Sequence, residues 1–362
     1  MVIVSEQVLE MIDLIKIVVI PDRLLSKEKW TTCLKFALQE KYGEVDLAFY
    51  ELKEAFSGWG VTYKGVKEFQ GDPVEVAHAV QDAEILVVHF SPITKEVYEA
   101  GTHLKLIACA RSTPLNIDVE TATRNRIPVV YGAGRNADSV ADFTMGILLA
   151  EIRHIARAFE ALRSGTYPEC RKRWRQFIPE LRDRVLGIVG LGNIGRKVAE
   201  RAKGFGVTML GCDPYVSEET MNNLGVVKTD LATLFKKSDF ISIHVRLTPD
   251  TTGIIGETEL RLMKKTAFLV NTSRGAIMDE TALYQVLSEK KIAGAALDVF
   301  TKEPIFADTN NKFIQLDNVT VTPHLAGPSN EMFYRGASIV AEDIARFIRG
   351  TDLLNVLNRD VL

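Results

Sequence analysis

Short apolar runs alternate with amphipathic stretches along the chain, and the runs fall into two sets. The first set has strand candidates at 15–20, 45–50, 84–89, 104–108 and 128–130. The second has candidates at 185–189, 207–212, 240–244, 267–271, 295–299 and 319–322. Amphipathic stretches such as 26–41 and 281–290 lie between the runs. This alternation predicts βαβ units, and hence parallel sheets covered by helices on both faces.

A longer amphipathic stretch separates the two sets. Apolar residues from Val140 to Leu162 recur at steps of three to five, mostly on one face, which predicts a single helix over about 138–163. Gly132 and Gly134 precede it and would suit a hinge, and a last helix is predicted at about 331–349. A chain of 362 residues has room for about two domains. We therefore expect an α/β protein with two doubly wound parallel-sheet domains.

A glycine-rich turn follows the first strand of the second set. Val185–Val189 runs into Gly190-x-Gly192-x-x-Gly195, and a helix is predicted directly afterwards. The first glycine permits a tight turn, the second lets a pyrophosphate approach the backbone, and the third allows close packing of helix on strand. The N–H groups at the helix start would face the phosphates. The pattern predicts a dinucleotide-binding site.

The next predicted strand ends in a carboxylate, Asp213. A carboxylate at this place can accept hydrogen bonds from the adenine ribose and would repel a 2′-phosphate. Pro214 and Tyr215 follow, so no cation stands beside it to pair with a phosphate. The sequence therefore favours NAD over NADP.

Three polar residues follow three other strands of the second set. They are Arg274, Glu303 and His324. Because ligands bind beyond the carboxyl ends of parallel strands, the sheet would bring these residues to one edge. A histidine titrates near neutral pH, a carboxylate beside it favours its protonated form, and arginine binds a carboxylate with two hydrogen bonds. The set predicts hydride transfer at a carbon that carries oxygen, next to a substrate carboxylate.

Charge and cysteine content exclude several other functions. The net charge of −3 gives no basic surface for nucleic acid, and we interpret the basic cluster at 171–175 as a solvated loop. Neither the four cysteines nor the histidines show metal-ligand spacing, so we expect no metal. The N-terminus is a poor signal peptide, and no apolar run approaches the ~20 residues that span a bilayer. We expect a cytoplasmic protein with reduced thiols.

Several ordered motifs resemble the D-isomer-specific 2-hydroxyacid dehydrogenase family, including its phosphoglycerate dehydrogenase and glyoxylate/hydroxypyruvate reductase members. The segments that carry this resemblance are LGIVGLGNIGR at 186–196, TPDTTG at 248–253, LVNTSRGA at 269–276, GAALDVFTKEP at 294–304 and TPHLAG at 322–327. The resemblance extends from about residue 84 to 349, whereas the first 80 residues match only in general pattern. Since the chain ends soon after the last predicted helix, we expect no additional regulatory domain.

The resemblance implies a Rossmann NAD-binding domain at 133–328, inserted in a flavodoxin-like substrate-binding domain made of 1–132 and 329–362. It implies that Arg274 binds the substrate carboxylate, that His324 is the acid/base and that Glu303 is its partner. It also implies a homodimer formed through the cofactor domain. With the glycine turn included, the expected cofactor-binding residues are Gly190, Gly192, Asn193, Ile194, Gly195, Asp213, Pro214, His244, Val245, Arg246, Thr251, Thr272, Ser273, Asp298 and Gly327.

Two departures from the family pattern bear on specificity. Where the family often has glycines in its substrate loop, this chain has Arg111, Ser112 and Thr113, which would narrow the pocket or add a cation for an acidic or phosphorylated substrate. Arg246 stands where the family often has proline. Two alternatives stay open: formate oxidation, against which Glu303 argues because similar formate dehydrogenases carry glutamine there, and an NAD-binding corepressor-like interaction protein.

Overall fold

The computed structural model describes residues 14–53, 62–166, 178–303 and 311–362. The chain forms two compact units, Met1–Arg135 with Ser329–Leu362, and Asn136–Pro328. The basic cluster at 171–175 and Cys170 lie outside the described residues. Within them, no helix combines the length and the apolar character needed to cross a membrane.

The first unit is built on a five-stranded parallel sheet with the strand order β2-β1-β5-β6-β7. Alternate residues of β1 are buried on opposite faces, Ile17 in one core cluster and Val18 in the other, because helices cover both faces. The strand order reverses between β1 and β5, which is where such sheets bind ligands. The sheet strands are β1 (Ile15–Val19), β2 (Val45–Phe49), β5 (Ile85–Val88), β6 (Leu106–Cys109) and β7 (Val129–Tyr131).

The helices of the first unit come from both of its chain segments. They are α1 (Lys27–Leu38), α2 (Pro73–Ala79), α3 (Lys95–Ala100), α4 (Val119–Arg124) and α12 (Asn330–Ile348). A small antiparallel hairpin, β3 (Thr62–Tyr63) and β4 (Val66–Lys67), also belongs to this unit and was not predicted. Its turn residues Lys64 and Gly65 have φ of 44° and 86°, the left-handed values that a two-residue hairpin turn requires.

The second unit contains a seven-stranded parallel sheet with the strand order β10-β9-β8-β11-β12-β13-β14. Its order reverses between β8 and β11. The strands are β8 (Val185–Val189), β9 (Thr208–Cys212), β10 (Val226–Lys228), β11 (Phe240–Ile243), β12 (Phe268–Asn271), β13 (Gly294–Leu297) and β14 (Val319–Val321). The helices are α5 (Ala137–Ile152), α6 (Ile155–Arg163), α7 (Asn193–Ala202), α8 (Glu218–Asn223), α9 (Leu231–Lys237), α10 (Glu257–Leu262) and α11 (Glu280–Ser288). The two sheets confirm the predicted α/β fold class.

The single helix predicted over 138–163 is wrong, because α5 and α6 are separated at His154. His154 has a left-handed φ of 56°. The break lets Arg157 fold back onto Glu151, with Nη1 2.8 Å from Oε2 and Nη2 3.0 Å from Oε1. Glu151 is fully buried, so its carboxylate needs this cation and the hydrogen bond that Thr320 donates at 2.6 Å. Hydrophobic periodicity carries no information about that ion pair.

Candidate active site

The glycine turn of the second unit has no room for side chains at two of its three glycines. Gly190 has a φ of +89°, and a Cβ there would lie 2.8 Å from the carbonyl carbon of His244. A Cβ at Gly195 would lie 2.0 Å from the carbonyl oxygen of Gly190. At Gly192, the N-cap of α7, a Cβ would meet no described atom within 4 Å, and no side chain of the described residues caps the helix. The open start of this ten-residue helix fits a phosphate, which its free N–H groups and positive end would bind.

Asp213 follows β9 and is bonded to the glycine turn. Its Oδ2 accepts a hydrogen bond from the backbone N–H of Leu191 at 2.8 Å, and its Oδ1 accepts one from Tyr215 at 2.9 Å. The carboxylate is therefore fixed beside the turn while its residue stays half-buried. Carboxylate oxygens can accept further hydrogen bonds, so this position suits a ribose.

His244 follows β11, directly beside the turn, and retains one unused ring nitrogen. Its Nε2 lies 2.7 Å from Ser242 Oγ, whereas its buried Nδ1 has no hydrogen-bond partner among the described residues. Burial lowers the pKa of His244 to about 3, so the ring is neutral at physiological pH. A buried nitrogen without a partner, next to Gly190, fits a polar group bound at this sheet edge.

Residues that follow β11 and β12 are linked by hydrogen bonds. Ser273 Oγ donates to the carbonyl oxygen of Val245 at 2.5 Å. Thr251 Oγ1 donates to the carbonyl oxygen of Arg246 at 2.6 Å, and the Arg246 residue is exposed. Thr272 Oγ1 lies 2.8 Å from the hydroxyl of Thr144 on α5, a partner that the sequence did not predict. These bonds fix the loops that follow the two strands and form a rim at this sheet edge.

Asp298 follows β13 and organises the loop that carries His324. The fully buried carboxylate accepts hydrogen bonds from Thr322 Oγ1 at 2.5 Å and from the backbone N–H groups of Leu325 and Ala326 at 2.8 and 2.9 Å. The backbone N–H of His324 donates to the carbonyl oxygen of Asp298 at 2.9 Å. Asp298 thus holds His324 in its left-handed conformation, with a φ of 58°. At the end of the same loop, the carbonyl oxygen of Gly327 accepts from Ser139 at 2.6 Å.

The structure brings Glu303 and His324 into direct contact. His324 Nδ1 lies 2.7 Å from Glu303 Oε2, and Glu303 Oε1 accepts from the backbone N–H of Phe300 at 2.9 Å. Arg274 follows the neighbouring strand β12 with an exposed side chain, whose Nη1 donates to the carbonyl oxygen of Ser273 at 2.6 Å. Its charge acts on both partners of the pair. All three polar residues therefore lie at one edge of the sheet.

The contact changes the pKa of both groups in the direction that favours the charged pair. The hydrogen bond that His324 donates to Glu303 raises the pKa of His324, and this outweighs the opposing effect of burial. Burial would raise the pKa of Glu303, but the hydrogen bonds from His324 and the Phe300 N–H bring it below its ordinary value. His324 therefore keeps a proton to higher pH than a free histidine. Because Glu303 occupies Nδ1, Nε2 is the nitrogen available for proton exchange.

The loop of Arg111, Ser112 and Thr113 follows β6 in the first unit. Arg111 is buried and forms an ion pair with Glu68, whereas Ser112 is half-buried and Thr113 is exposed. Glu68 lies 43 residues earlier in the chain and follows the hairpin strand β4. Sequence reasoning did not identify this partner, because nothing in the local pattern relates the two residues.

A polar chain at the carboxyl edge of the first unit's own sheet was also missed. His89, fully buried after β5, has Nδ1 2.8 Å from Asp22 Oδ2 and Nε2 2.8 Å from Arg135 Nη1. Because a guanidinium only donates, Nε2 must accept and Nδ1 must carry the proton, which it donates to Asp22. Burial lowers the pKa of His89, which agrees with a neutral ring. His324 was singled out because ligands bind beyond the carboxyl ends of parallel strands. The same reasoning applies to Asp22, which follows β1, and to His89, which follows β5.

Comparison with known proteins agrees with this geometry. Residues 145–326 match the model of the NAD-binding domain of D-isomer specific 2-hydroxyacid dehydrogenases. The chain is 42% identical over 286 residues to a D-3-phosphoglycerate dehydrogenase of Methanocaldococcus jannaschii, covering 78% of this chain and 53% of that enzyme. It is 41% identical over 288 residues to a glyoxylate reductase of Korarchaeum cryptofilum, covering 79% and 86%. The apo structure of Rhodotorula graminis D-mandelate dehydrogenase has a TM-score of 0.77 at 22% identity, covering 94% of this chain and 97% of that one.

The structure combines an open glycine turn at one strand end with an acid–base pair and an arginine at the neighbouring strand ends, an arrangement of the kind that nicotinamide-nucleotide-dependent oxidoreductases have. The chain belongs to the D-isomer specific 2-hydroxyacid dehydrogenase family, and its cofactor is NAD, since the matching model is that of the family's NAD-binding domain. The relatives do not favour the formate dehydrogenase and corepressor alternatives. The chain spans about half the length of the phosphoglycerate dehydrogenases that it matches, 53% in the archaeal enzyme above.

Proposed function

We propose that the protein interconverts a small D-2-hydroxy acid and its 2-keto acid, of the hydroxypyruvate, glyoxylate or 3-phosphoglycerate type. The observation that carries this proposal is the 2.7 Å contact between His324 and Glu303 at the strand edge that also holds Arg274. His324 can donate a proton and Arg274 can bind a carboxylate, and this combination suits a 2-keto acid. Formate oxidation needs no proton relay. We assign substrate binding to residues 1–132 and 329–362 and cofactor binding to 133–328.

In the direction of reduction, bound NADH supplies the hydride that reaches the keto carbon. Arg274 binds the substrate carboxylate through two hydrogen bonds and so fixes which carbon is presented. His324 donates its Nε2 proton to the carbonyl oxygen, which becomes the hydroxyl. Glu303 holds the ring through Nδ1 and stabilises its protonated form. In oxidation the neutral His324 takes the hydroxyl proton back.

For the cofactor, we propose contacts from three parts of the second unit. Gly190, Gly192, Asn193, Ile194 and Gly195 would hold the pyrophosphate, and Asp213 with Pro214 the adenine ribose. The rim residues His244, Val245, Arg246, Thr251, Thr272, Ser273, Asp298 and Gly327 would border the nicotinamide half. Two features support this assignment: the Nδ1 of His244, which has no partner in the part of the chain that the structure describes, and the open start of α7.

The decisive experiment measures NADH oxidation with glyoxylate, hydroxypyruvate, pyruvate and 3-phosphohydroxypyruvate, with NADPH side by side. We expect turnover of at least one of these acids. His324→Ala should lower kcat by about 10²–10⁴-fold, as loss of a general acid does, and should leave NADH binding intact. His103→Ala, which removes an exposed histidine of the first unit, is the matched control. Full turnover by His324→Ala would overturn the proton-transfer role, and NADH binding without turnover of any acid would favour the corepressor alternative.

We further propose that the protein is a cytoplasmic homodimer. Helix α6 leaves Ile155, Phe159 and Leu162 exposed by 57, 61 and 62%, and their spacing places them on one face. An exposed apolar stripe of this kind is typical of an interface. The free thiols of Cys33, Cys109 and Cys212 are consistent with a reducing compartment. Light scattering should give twice the chain mass, and Phe159→Glu should shift it toward one chain; a monomeric native protein would refute the dimer.

A further inference from the structure

Arg111 is already neutralised within the first unit. Its Nη2 lies 2.5 Å from Glu68 Oε2, and its Nη1 donates to the backbone carbonyl oxygen of Glu68 at 2.7 Å. Glu68 therefore binds the guanidinium through both its side chain and its main chain. Two charge-assisted hydrogen bonds to one residue are a strong and specific arrangement.

The remaining surfaces of this guanidinium are also occupied. Nη1 lies 3.4 Å from Asn116 Oδ1, and the guanidinium carbon lies 5.0 Å from the ring centre of Phe90. The Arg111 side chain is 8% exposed, whereas that of Glu68 is 37% exposed. An anion that approaches from solvent would therefore meet the carboxylate of Glu68 before it could reach the cation.

The backbone around Glu68 is arranged for this contact. Glu68 has a left-handed φ of 51°, which a residue with a side chain adopts only when its surroundings hold it there. The hairpin before it is attached to the same loop, because the N–H of Lys67 donates to the carbonyl oxygen of Leu115 at 2.8 Å. Hairpin and loop thus form one assembly around the ion pair.

We propose that Glu68 is a specificity-determining residue that excludes a second anionic group from the Arg111 loop. By occupying the cation and adding its own negative charge, Glu68 directs the enzyme toward 2-keto acids with a single carboxylate, such as glyoxylate or hydroxypyruvate. Phosphorylated or dicarboxylic keto acids would face like-charge repulsion and find no free cation. Arg111 then holds the β3–β4 hairpin to the loop that follows β6 and does not bind substrate. The inference rests on the proposed function and on the loop's place in the substrate domain.

The test is the substitution Glu68→Gln, which removes the charge and keeps the shape. Native protein should have a higher kcat/KM for hydroxypyruvate than for 3-phosphohydroxypyruvate. In Glu68→Gln, the ratio of phosphorylated to unphosphorylated kcat/KM should rise by about tenfold, because the repulsion disappears and a buried cation is left without its counter-charge. Inorganic phosphate should bind the variant more tightly than the native protein in calorimetry. Glu96→Gln is the matched control, since Glu96 pairs with Lys64 of the same hairpin at 2.5 Å.

A double variant, Glu68→Gln with Arg111→Gln, separates the charge effect from a change of shape. It removes both the repelling carboxylate and the cation, so its selectivity and phosphate affinity should lie between those of the native protein and those of Glu68→Gln. An unchanged ratio in folded Glu68→Gln, or native protein that prefers the phosphorylated acid, would overturn the proposal. If native protein turned over no keto acid, the proposed function would fail, and phosphate affinity in the two variants would still decide the role of Glu68. If Glu68→Gln does not fold, the double variant decides. A weaker preference for hydroxypyruvate in the double variant than in the native protein supports the role of the charge pair. The same preference as in the native protein refutes it.

Discussion

Gly275→Ala tests whether the close approach of two strand-end loops builds the catalytic edge. A Cβ at Gly275 would lie 2.1 Å from the carbonyl carbon of Phe300 and 2.2 Å from the N of Thr301. Such contacts essentially never fall below 3.0 Å, and both neighbours are backbone, so the two loops must separate by about 0.9 Å. One loop carries Arg274, and the other holds Glu303 through the Phe300 N–H.

A shift of about 1 Å in a catalytic group costs about 100-fold in rate, or roughly 2.7 kcal/mol of transition-state stabilisation. We therefore expect Gly275→Ala to lower kcat/KM for keto-acid reduction by about 100-fold, and overpacking to lower stability by about 1–3 kcal/mol. NADH binding should weaken less than catalysis, because the glycine turn proposed to hold the pyrophosphate follows a different strand. Steady-state kinetics, NADH fluorescence titration and thermal melting measure the three quantities.

Gly204→Ala is the control, because a Cβ at Gly204 meets nothing within 4 Å. It should retain native kinetics and melting temperature. If Gly275→Ala kept kcat/KM within about twofold and melted like the native protein, the two loops would not be in the contact described, and this account of the catalytic edge would be wrong.

Two further substitutions test the electrostatics of the site. Glu303→Gln keeps an acceptor for His324 Nδ1 but removes the charge that raises the pKa of His324. Reduction requires the protonated ring, so activity is lost as the pH rises through that pKa. In a kcat/KM profile of the variant, this loss should therefore move to lower pH. A profile identical to the native one would contradict the role of Glu303. Asp213→Asn keeps an acceptor for the Leu191 N–H but removes the repulsion of a 2′-phosphate, so the NADPH-to-NADH ratio of kcat/KM should rise by about tenfold. An unchanged ratio would show that the carboxylate does not face the ribose.

Much of the second unit could be predicted from sequence because its signals are local. Gly190, Gly192 and Gly195 lie within one turn, and an apolar run directly before them identifies the strand that they follow. The rule that ligands bind beyond strand ends likewise predicted that Glu303 and His324 lie together, since parallel strands bring their carboxyl ends to one edge whatever their separation in the chain. The contact between these two residues needed no knowledge of detailed packing.

Tertiary structure alone decided which side chain each cation binds. Periodicity predicted one long helix where Arg157 turns back to Glu151, and the substrate loop presented Arg111 as a free cation where Glu68 holds it. Partners 43 residues apart become neighbours only after strand order and hairpin position are set, and a hydrophobic pattern carries no information about either. The sequence by itself determined most of the sheet strands and the edge at which we propose that the chemistry occurs, because both follow from local periodicity and parallel strands. Charge pairing depends on distances across the folded chain, so only the three-dimensional structure could show that this loop cation is already neutralised.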